Sequence, residues 1–465
     1  MQNKKFIVCL SCFLSSCTVG DDYKKVEFFT DEEMSKSLGV KNEKTEGKVF
    51  QISDFKDETL NYLIKDALVA NPDMKIAILK LKQAREVLNI DTKNSLPMFD
   101  ANAKYNFVNS SKNMESLIDN DYYQIGVDVS WEIDIFGGLR RKEEASRAQY
   151  RASIESLKNV NISLVSDVAT NYINLRAAEQ NLKNMRENIL LQQDAYEIIS
   201  EKFEVDLVDE MELAQSKYLL ENMKMQVPQF EYYREMYSNA LAVLLGKLPK
   251  SLDDVLQKEG ENLVSKPFDY DLEKLYNLSV SVIRNRPDVK MMEEELIAQN
   301  ALVGVAISNI YPKISLSGFF GFESLEFSDL IEKDSLGHSV IPQASLPLFH
   351  FFQLRDNIEL QKLIKEEALV QYEKTILNAV MEVKNAMVAL QNELERNKSA
   401  VLAYQNMSDV SYLMWKKYNM GLVEYSDVLN SEQNRLEAQT EMVNSNANIY
   451  KNIITFYKAI GGKYE

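Results

Sequence analysis

The 465-residue chain carries 70 acidic against 53 basic residues, a formal charge of −17, which argues against the basic face a nucleic-acid binder needs. Only 15 glycines and 9 prolines punctuate it, so long uninterrupted helices are expected. Its two histidines, His338 and His350, stand in no metal-ligand spacing, and no nucleophile–base pair, phosphate loop or cofactor motif speaks for an enzyme.

Lys4 and Lys5 precede an apolar run, Phe6 to Leu14, which has the length of a signal-peptide core and is too short to span a bilayer. The run ends in Leu14-Ser15-Ser16-Cys17, which resembles a bacterial lipobox. That resemblance implies a signal peptide over 1–16 and acylation of Cys17. The other reading is an ordinary secretory signal with incidental cysteines. Cys9 and Cys12 fall inside the removed segment, so the mature chain keeps one cysteine and has no internal disulfide. Thr18 follows the cysteine, where no aspartate that would favour inner-membrane retention stands, and by resemblance to other lipoproteins that implies the outer membrane. Residues 17–55 read as a polar, irregular, lipid-anchored tether.

A first structural repeat is expected over 56–250. From Thr59 the apolar spacing is helical, with a break at Asn71-Pro72-Asp73, and Pro97 stops the next helix. A strand pair is predicted within 99–136. Ala101, Ala103, Tyr105 and Phe107 alternate with polar neighbours, and so do Ile125, Val127, Val129, Trp131, Ile133 and Ile135. Trp131 and Tyr122-Tyr123 are candidate membrane-interface aromatics, or simple packing residues. From Leu139 to Val205 no proline or glycine occurs, and about 67 residues at ~1.5 Å each make a helix of roughly 100 Å. The chain turns near 202–215 and returns to Leu245, before Gly246 and Pro249.

After a linker at 251–271, a second repeat is expected over 272–462. At an offset of 215, Arg286-Pro287-Asp288 matches Asn71-Pro72-Asp73, Pro312 matches Pro97, Lys417 matches Lys202 and Gly461 matches Gly246. The second strand pair is placed within 313–349. Pro342 and Pro347 lie in its second strand, which is therefore expected to be irregular or bulged. The second turn lies near 417–430. In the long helices Val165, Val168, Tyr172, Leu175, Leu182 and Ile189, and then Val380, Val383, Met387, Leu390, Leu394, Val401 and Tyr404, mark coiled-coil seams. Asn397 interrupts the second.

Four strands do not close a transmembrane barrel, since about eight is the minimum, and an open edge is not tolerated in lipid. Several copies must therefore close it. Three would give about twelve strands. A soluble sandwich would also show alternating strands, and a periplasmic coiled-coil scaffold would show the helices without them.

The chain resembles the TolC-like outer membrane factor family, in its lipoprotein branch of drug-efflux channels. The resemblance is carried by Trp131 to Arg140 (WEIDIFGGLR), Arg286 to Val289, Tyr311 to Leu316, Pro347 to Phe349 and the turn at Lys417 to Asn430. It implies a mixed fold: a membrane β-barrel closed by a homotrimer with four strands per chain, continued by a long α-helical coiled-coil tunnel. It implies no cofactor, and partners that are a periplasmic adaptor, an inner-membrane pump and outer-membrane lipid. The expected function is passive exit of drugs or other toxic solutes. An exit duct for type I protein secretion is the alternative on the same fold.

The resemblance also implies a gate at the helical tips. Asp427 matches the first position of an acidic ring, whereas Asn430 occupies the second. Glu212 and Tyr418 match an acidic and a tyrosine partner, with Glu424 and Asp209 close by. Gly421, Leu422, Val423, Leu207 and Val208 form the tip turns. Val423 stands where some members carry an arginine. Each of the acidic residues also suits a helix N-terminus as a cap or dipole partner.

Overall fold

In the computed structural model, residues 18–39, 52–107, 121–256, 262–265 and 280–462 are described. Cys17 lies outside them. Helix α1 is Asp31–Leu38, α2 Glu58–Ala70, α3 Pro72–Lys93, α4 Gly138–Glu204, α5 Glu210–Leu244, α6 Pro287–Ser308, α7 Phe351–Asn419 and α8 Tyr425–Ala459. Strands β1 Met98–Asn106 and β2 Tyr122–Ile133 precede α4, and β3 Lys313–Ser324 and β4 Leu336–Ser345 precede α7. The chain divides into two compact units, one formed by 1–27, 79–155 and 290–374, the other by 28–78, 156–289 and 375–465.

The first unit holds the sheet, an antiparallel meander in the order β1-β2-β3-β4. Its register runs without a bulge, from Met98↔Ser130, through Tyr123↔Ser324, to Lys313↔Ser345. This corrects the expected irregularity at Pro342. The residue sits in register opposite Leu316 on the strand that is outermost in the single chain, paired on one side only there, so its missing N–H does not break the β3–β4 register. Strand ends are also corrected. β2 stops at Ile133 and β4 at Ser345, and Phe136 instead stacks on Tyr311 at 4.7 Å.

The registers place Phe99, Tyr105, Tyr123, Ile125, Val127, Trp131, Phe320 and Val340 on one face. Phe99, Tyr105, Phe320 and Val340 are more than half exposed there. Asp100, Asn102, Lys104, Asp128 and Glu323 share the other face, with Lys104 and Asn102 bonded to Asp128 at 2.9 and 2.6 Å. On that polar face Gly126 and Gly321 are paired, and a Cβ on either would strike the Phe319 ring within 2.7 Å.

Residues 18–39 of the tether are more ordered than their composition suggested. Val19 donates to Phe136 O at 3.1 Å, and Asn300 donates to Asp21 O at 2.9 Å. Arg141, 3% exposed, donates to Val19 O, Gly20 O and Asp22. Burial opposes the Arg141 charge, yet Glu144 and Asp22 hold its pKa above the usual value. Further on, Thr30 and Glu33 form a capping box that starts α1, and Gly39 at φ 75° ends it.

In the second unit the duplication is visible atom by atom. Asn71 Nδ2 donates to Leu244 O at 2.8 Å, and the matching Arg286 Nη1 donates to Ala459 O at 2.6 Å. Each ties a helix break to the end of the following hairpin, by an amide in one repeat and by a guanidinium in the other. Arg286 also pairs with Asp288 and Glu382. Gly246 (φ 64°) and Gly461 (φ 68°) end the two return helices alike.

The α4 seam is buried at Val165, Val168, Tyr172, Leu175 and Leu182 as expected, while Ile189 is only half buried. The α7 seam keeps Val383, Leu390 and Asn397 of the expected set and is shifted at the positions between them. Between 379 and 400 its buried positions are Ala379, Val383, Ala386, Leu390, Glu393, Asn397 and Ala400, in strict 4-3 spacing. Small residues let the facing helix approach closely, so alanine marks the centre of the contact and Val380, Met387 and Leu394 flank it, only half buried.

Candidate functional site

The two hairpin turns are the same motif built on different residues. In the first, Leu207 N–H bonds Lys202 O (2.8 Å) and Asp206 N–H bonds Phe203 O (3.0 Å). In the second, Leu422 N–H bonds Lys417 O (3.0 Å) and Gly421 N–H bonds Tyr418 O (2.9 Å). These are the paired bonds of a Schellman cap, which needs a left-handed residue at its corner. Gly421 supplies it at φ 70° and Asp206 at φ 57°. After each corner a leucine points outward, Leu207 being 73% and Leu422 69% exposed, and a valine, Val208 or Val423, is half buried.

Behind the turns Ile199, Tyr425 and Val428 form a buried cluster, with Val208, Leu213, Met414, Trp415 and Tyr418 packed on it. The rings of Trp415, Tyr418 and Tyr425 meet edge to face at 5.5 to 6.1 Å. This cluster fixes Tyr418 so that its hydroxyl donates to Glu212 Oε2 at 2.7 Å. The bond joins α7 of the second hairpin to α5 of the first. Burial, and then the bond to Glu212, push the Tyr418 pKa well above the usual phenol value. Lys202 Nζ lies 5.4 Å from the centre of the Tyr418 ring.

The remaining acidic residues take separate places. Asp209 is the N-cap of α5, its Oδ1 accepting from Glu212 N–H at 2.9 Å, so it orients the segment that carries Glu212. Glu424 occupies the matching position of α8 without a side-chain cap bond, its carboxylate accepting from Ser426 at 3.4 Å. Asp427 stands in the first turn of α8, exposed, as does Asn430. Glu212 and Asp427 are thus the third helical residues of their helices. One receives a tyrosine, and the other faces solvent in the single chain.

Sequence reasoning missed a buried polar ladder above the tips. On α4, Asn181, Asn188 and Gln192 are 4 to 6% exposed. Asn181 donates to Asn444 (3.1 Å), Asn188 to Gln439 (2.8 Å) and Gln192 to Tyr425 Oη (3.2 Å), all on α8. The available signal was amides at heptad spacing inside an apolar seam. Beside these rungs a cavity of about 510 Å³ is lined by Asn188, Gln192, Ser411, Trp415, Tyr418 and Arg435 among others. Among the described residues no cluster of potential metal ligands occurs.

Comparison with known proteins gives these features a family. The model of the outer membrane efflux protein family matches residues 63–247 and 278–462. Both ends of the second match lie 215 residues after those of the first (63 to 278, 247 to 462), the offset already seen in the sequence. The chain is 26% identical over 464 residues to the cation efflux system protein CusC of Escherichia coli K12, covering 98% of each. It is 26% identical over 417 residues to the solvent efflux pump outer membrane protein SrpC of Pseudomonas putida, covering 88% of this chain and 86% of that one. It is also similar to the probable outer membrane lipoprotein SilC of Salmonella typhimurium, at 26% over 411 residues, 88% of this chain and 87% of that one. Among solved structures it is similar to the outer-membrane channel OprN (TM-score 0.86, 25% identity, 96% and 99% of the two chains). The Campylobacter jejuni CmeC outer membrane channel is also similar (0.83, 29%, 97% and 95%). The chain belongs to the outer membrane efflux protein family, and its four strands and two helical hairpins are one subunit's share of a trimeric outer-membrane efflux channel.

Proposed function

We propose that this subunit forms a passive duct, with no chemistry of its own, that is held shut at its helical tips until an adaptor and pump engage it. The observation that carries the gate is the Tyr418–Glu212 bond, which joins the two hairpins of one chain at their turns. A hydrogen bond to a charged group contributes about 1.5–3 kcal/mol. Repeated in each subunit, it is strong enough to keep a mouth closed and weak enough to yield to a docked partner. Asp427 serves as a ring of negative charge that favours cations at the constriction. Asn430 supplies no second ring.

Cys17 carries the lipid that joins the chain to the outer membrane, and outer-membrane lipid surrounds the apolar sheet face. On β2, Tyr123 and Trp131 lie eight residues apart, about 27 Å along a strand. That is close to the ~25 Å apolar band of outer-membrane barrels with their aromatic girdles. The transported solutes are small toxic compounds. Cations and organic solvents, for which CusC and SrpC are named, are the first classes to test.

Deleting the gene is expected to sensitise cells to several unrelated toxic compounds at once, measured as inhibitory concentrations. Unchanged sensitivity together with lost export of a single protein would assign the duct to secretion instead.

A further inference from the structure

Glu432 and Arg435 lie three residues apart on α8, the first buried and the second half-buried, and both outside the tip turns. Glu432 is 7% exposed. Its carboxylate accepts from Ser411 Oγ, from Trp415 Nε1 at 3.1 Å and from Arg435 Nε at 2.9 Å. Arg435 Nη2 lies 2.8 Å from Glu432 and also donates to Asn188 Oδ1 at 2.9 Å. The carboxylate therefore ties α8 to α7, inside the second hairpin. The guanidinium ties α8 to α4, which belongs to the first.

Burying a charge pair costs desolvation, and apolar residues of the same volume often serve stability as well or better. The pair's distinctive effect is directional. Glu432 neutralises Arg435 and fixes its plane, and the free edge of the guanidinium is left aimed at Asn188. Ten residues, about 15 Å of helix, separate Arg435 from Tyr425 at the start of α8. The contact also borders the 510 Å³ cavity, which Asn188 and Arg435 both line. If the two separate, water in that space can rehydrate them, so breaking the bond avoids the full penalty of a dry unpaired group.

We propose that Arg435, aimed by Glu432, is a second latch between the two hairpins, set about three helical turns above the tip and released with Tyr418–Glu212 when the channel opens. The proposal rests on the reading of the tips as the gate. Asn397 supplies the contrast. It too is buried and bonded, to Ser445 and Asn446, but both partners belong to its own hairpin.

The test is resting conductance of purified trimers in planar bilayers for Glu212→Ala, Asn188→Ala, Arg435→Met and Asn397→Ala. Asn188→Ala is expected to raise it about tenfold, the equivalent of about 1.4 kcal/mol. The double variant with Glu212→Ala should exceed either single change. Asn397→Ala, which also loses a buried amide pair, should leave it at the parent value. Should Arg435→Met fail to assemble, Asn188→Ala read beside Gln439→Ala carries the test. Asn188→Ala leaves Glu432 and Arg435 paired. Gln439→Ala, which of the two bonds of Asn188 to α8 removes only the other, should leave conductance at the parent value, and an equal rise in the two overturns the assignment to Arg435. A conducting Glu212→Ala beside an unchanged, heat-resistant Asn188→Ala trimer overturns the second latch and leaves the tip gate standing. An equal rise in Asn188→Ala and Asn397→Ala also overturns it, as general loosening. No change in any variant overturns both readings.

Discussion

Tyr418 and Glu212 lie 206 residues apart in sequence and 2.7 Å apart in space. Tyr418→Phe keeps the ring in its aromatic cluster and removes only the donor, so it is expected to raise resting conductance without lowering the thermal stability of the trimer by more than a degree or two. The sign of the pH dependence follows from the raised phenol pKa. A raised folded-state value means the contribution is complete below the unfolded tyrosine value of about 10, and is lost as pH climbs through the higher folded one. The difference between parent and Tyr418→Phe should therefore hold steady from pH 7 to about 9 on the tyrosine's account. Asp427→Ala should lower cation selectivity, read as a shift in reversal potential across a salt gradient. An unaltered reversal potential would remove Asp427 from the pore lining. The pairing of Tyr418 with Glu212 was open to sequence reading through the resemblance. Asp209 caps its helix and Glu424 does not, although both stand in the same extended backbone (φ −89°, ψ 170° and φ −80°, ψ 160°), because the shorter aspartate side chain is the one suited to an N-cap, a difference that residue type already carried.

At the scale of elements, the two tips share one hydrogen-bond pattern but not one corner residue. Gly421 has open space around its missing Cβ, so Gly421→Ala meets only the backbone cost of a left-handed residue, about 1–2 kcal/mol. Asp206→Gly removes the same strain from the first turn. Melting curves of the two variants should move in opposite directions. The clamp on residues 18–22 is a second element-scale device, with Gly20 pressed against Gly304 and Thr18 against Gly137. Arg141→Met should free this segment and speed trypsin cleavage after Lys24 and Lys25. Equal cleavage rates would mean that the clamp does not depend on the guanidinium. Strand alternation in β2 and the long helices were legible because each is a local period. The clamp was not, because its acceptors are main-chain carbonyls, which every sequence has. The α7 seam was read correctly at Val383, Leu390 and Asn397 and missed at Ala379, Ala386 and Ala400, because alanine carries little hydrophobic signal at the positions where helices approach most closely. The capping box Thr30–Glu33 was present in the sequence and was passed over inside a polar segment.

For the whole channel, the duplication sets a further expectation. Phe203 is the counterpart of Tyr418, and Asp427 is the counterpart of Glu212, at the common offset of 215. Where the second hairpin of one copy meets the first hairpin of the next, the matching contact would join a phenylalanine to a carboxylate, and no hydrogen bond can form. On that reading the proposed tyrosine latch is expected within subunits and not between them. Phe203→Tyr should add the missing set and lower both resting current and the ease of opening by a partner. The strongest test of the central claim is the single-channel record of the purified, lipidated protein in planar bilayers, paired with Glu212→Ala. Heat-resistant trimers that insert with a small resting conductance, raised several-fold by Glu212→Ala, are the predicted result. Failure of both proteins to form trimers or to pass current would contradict it.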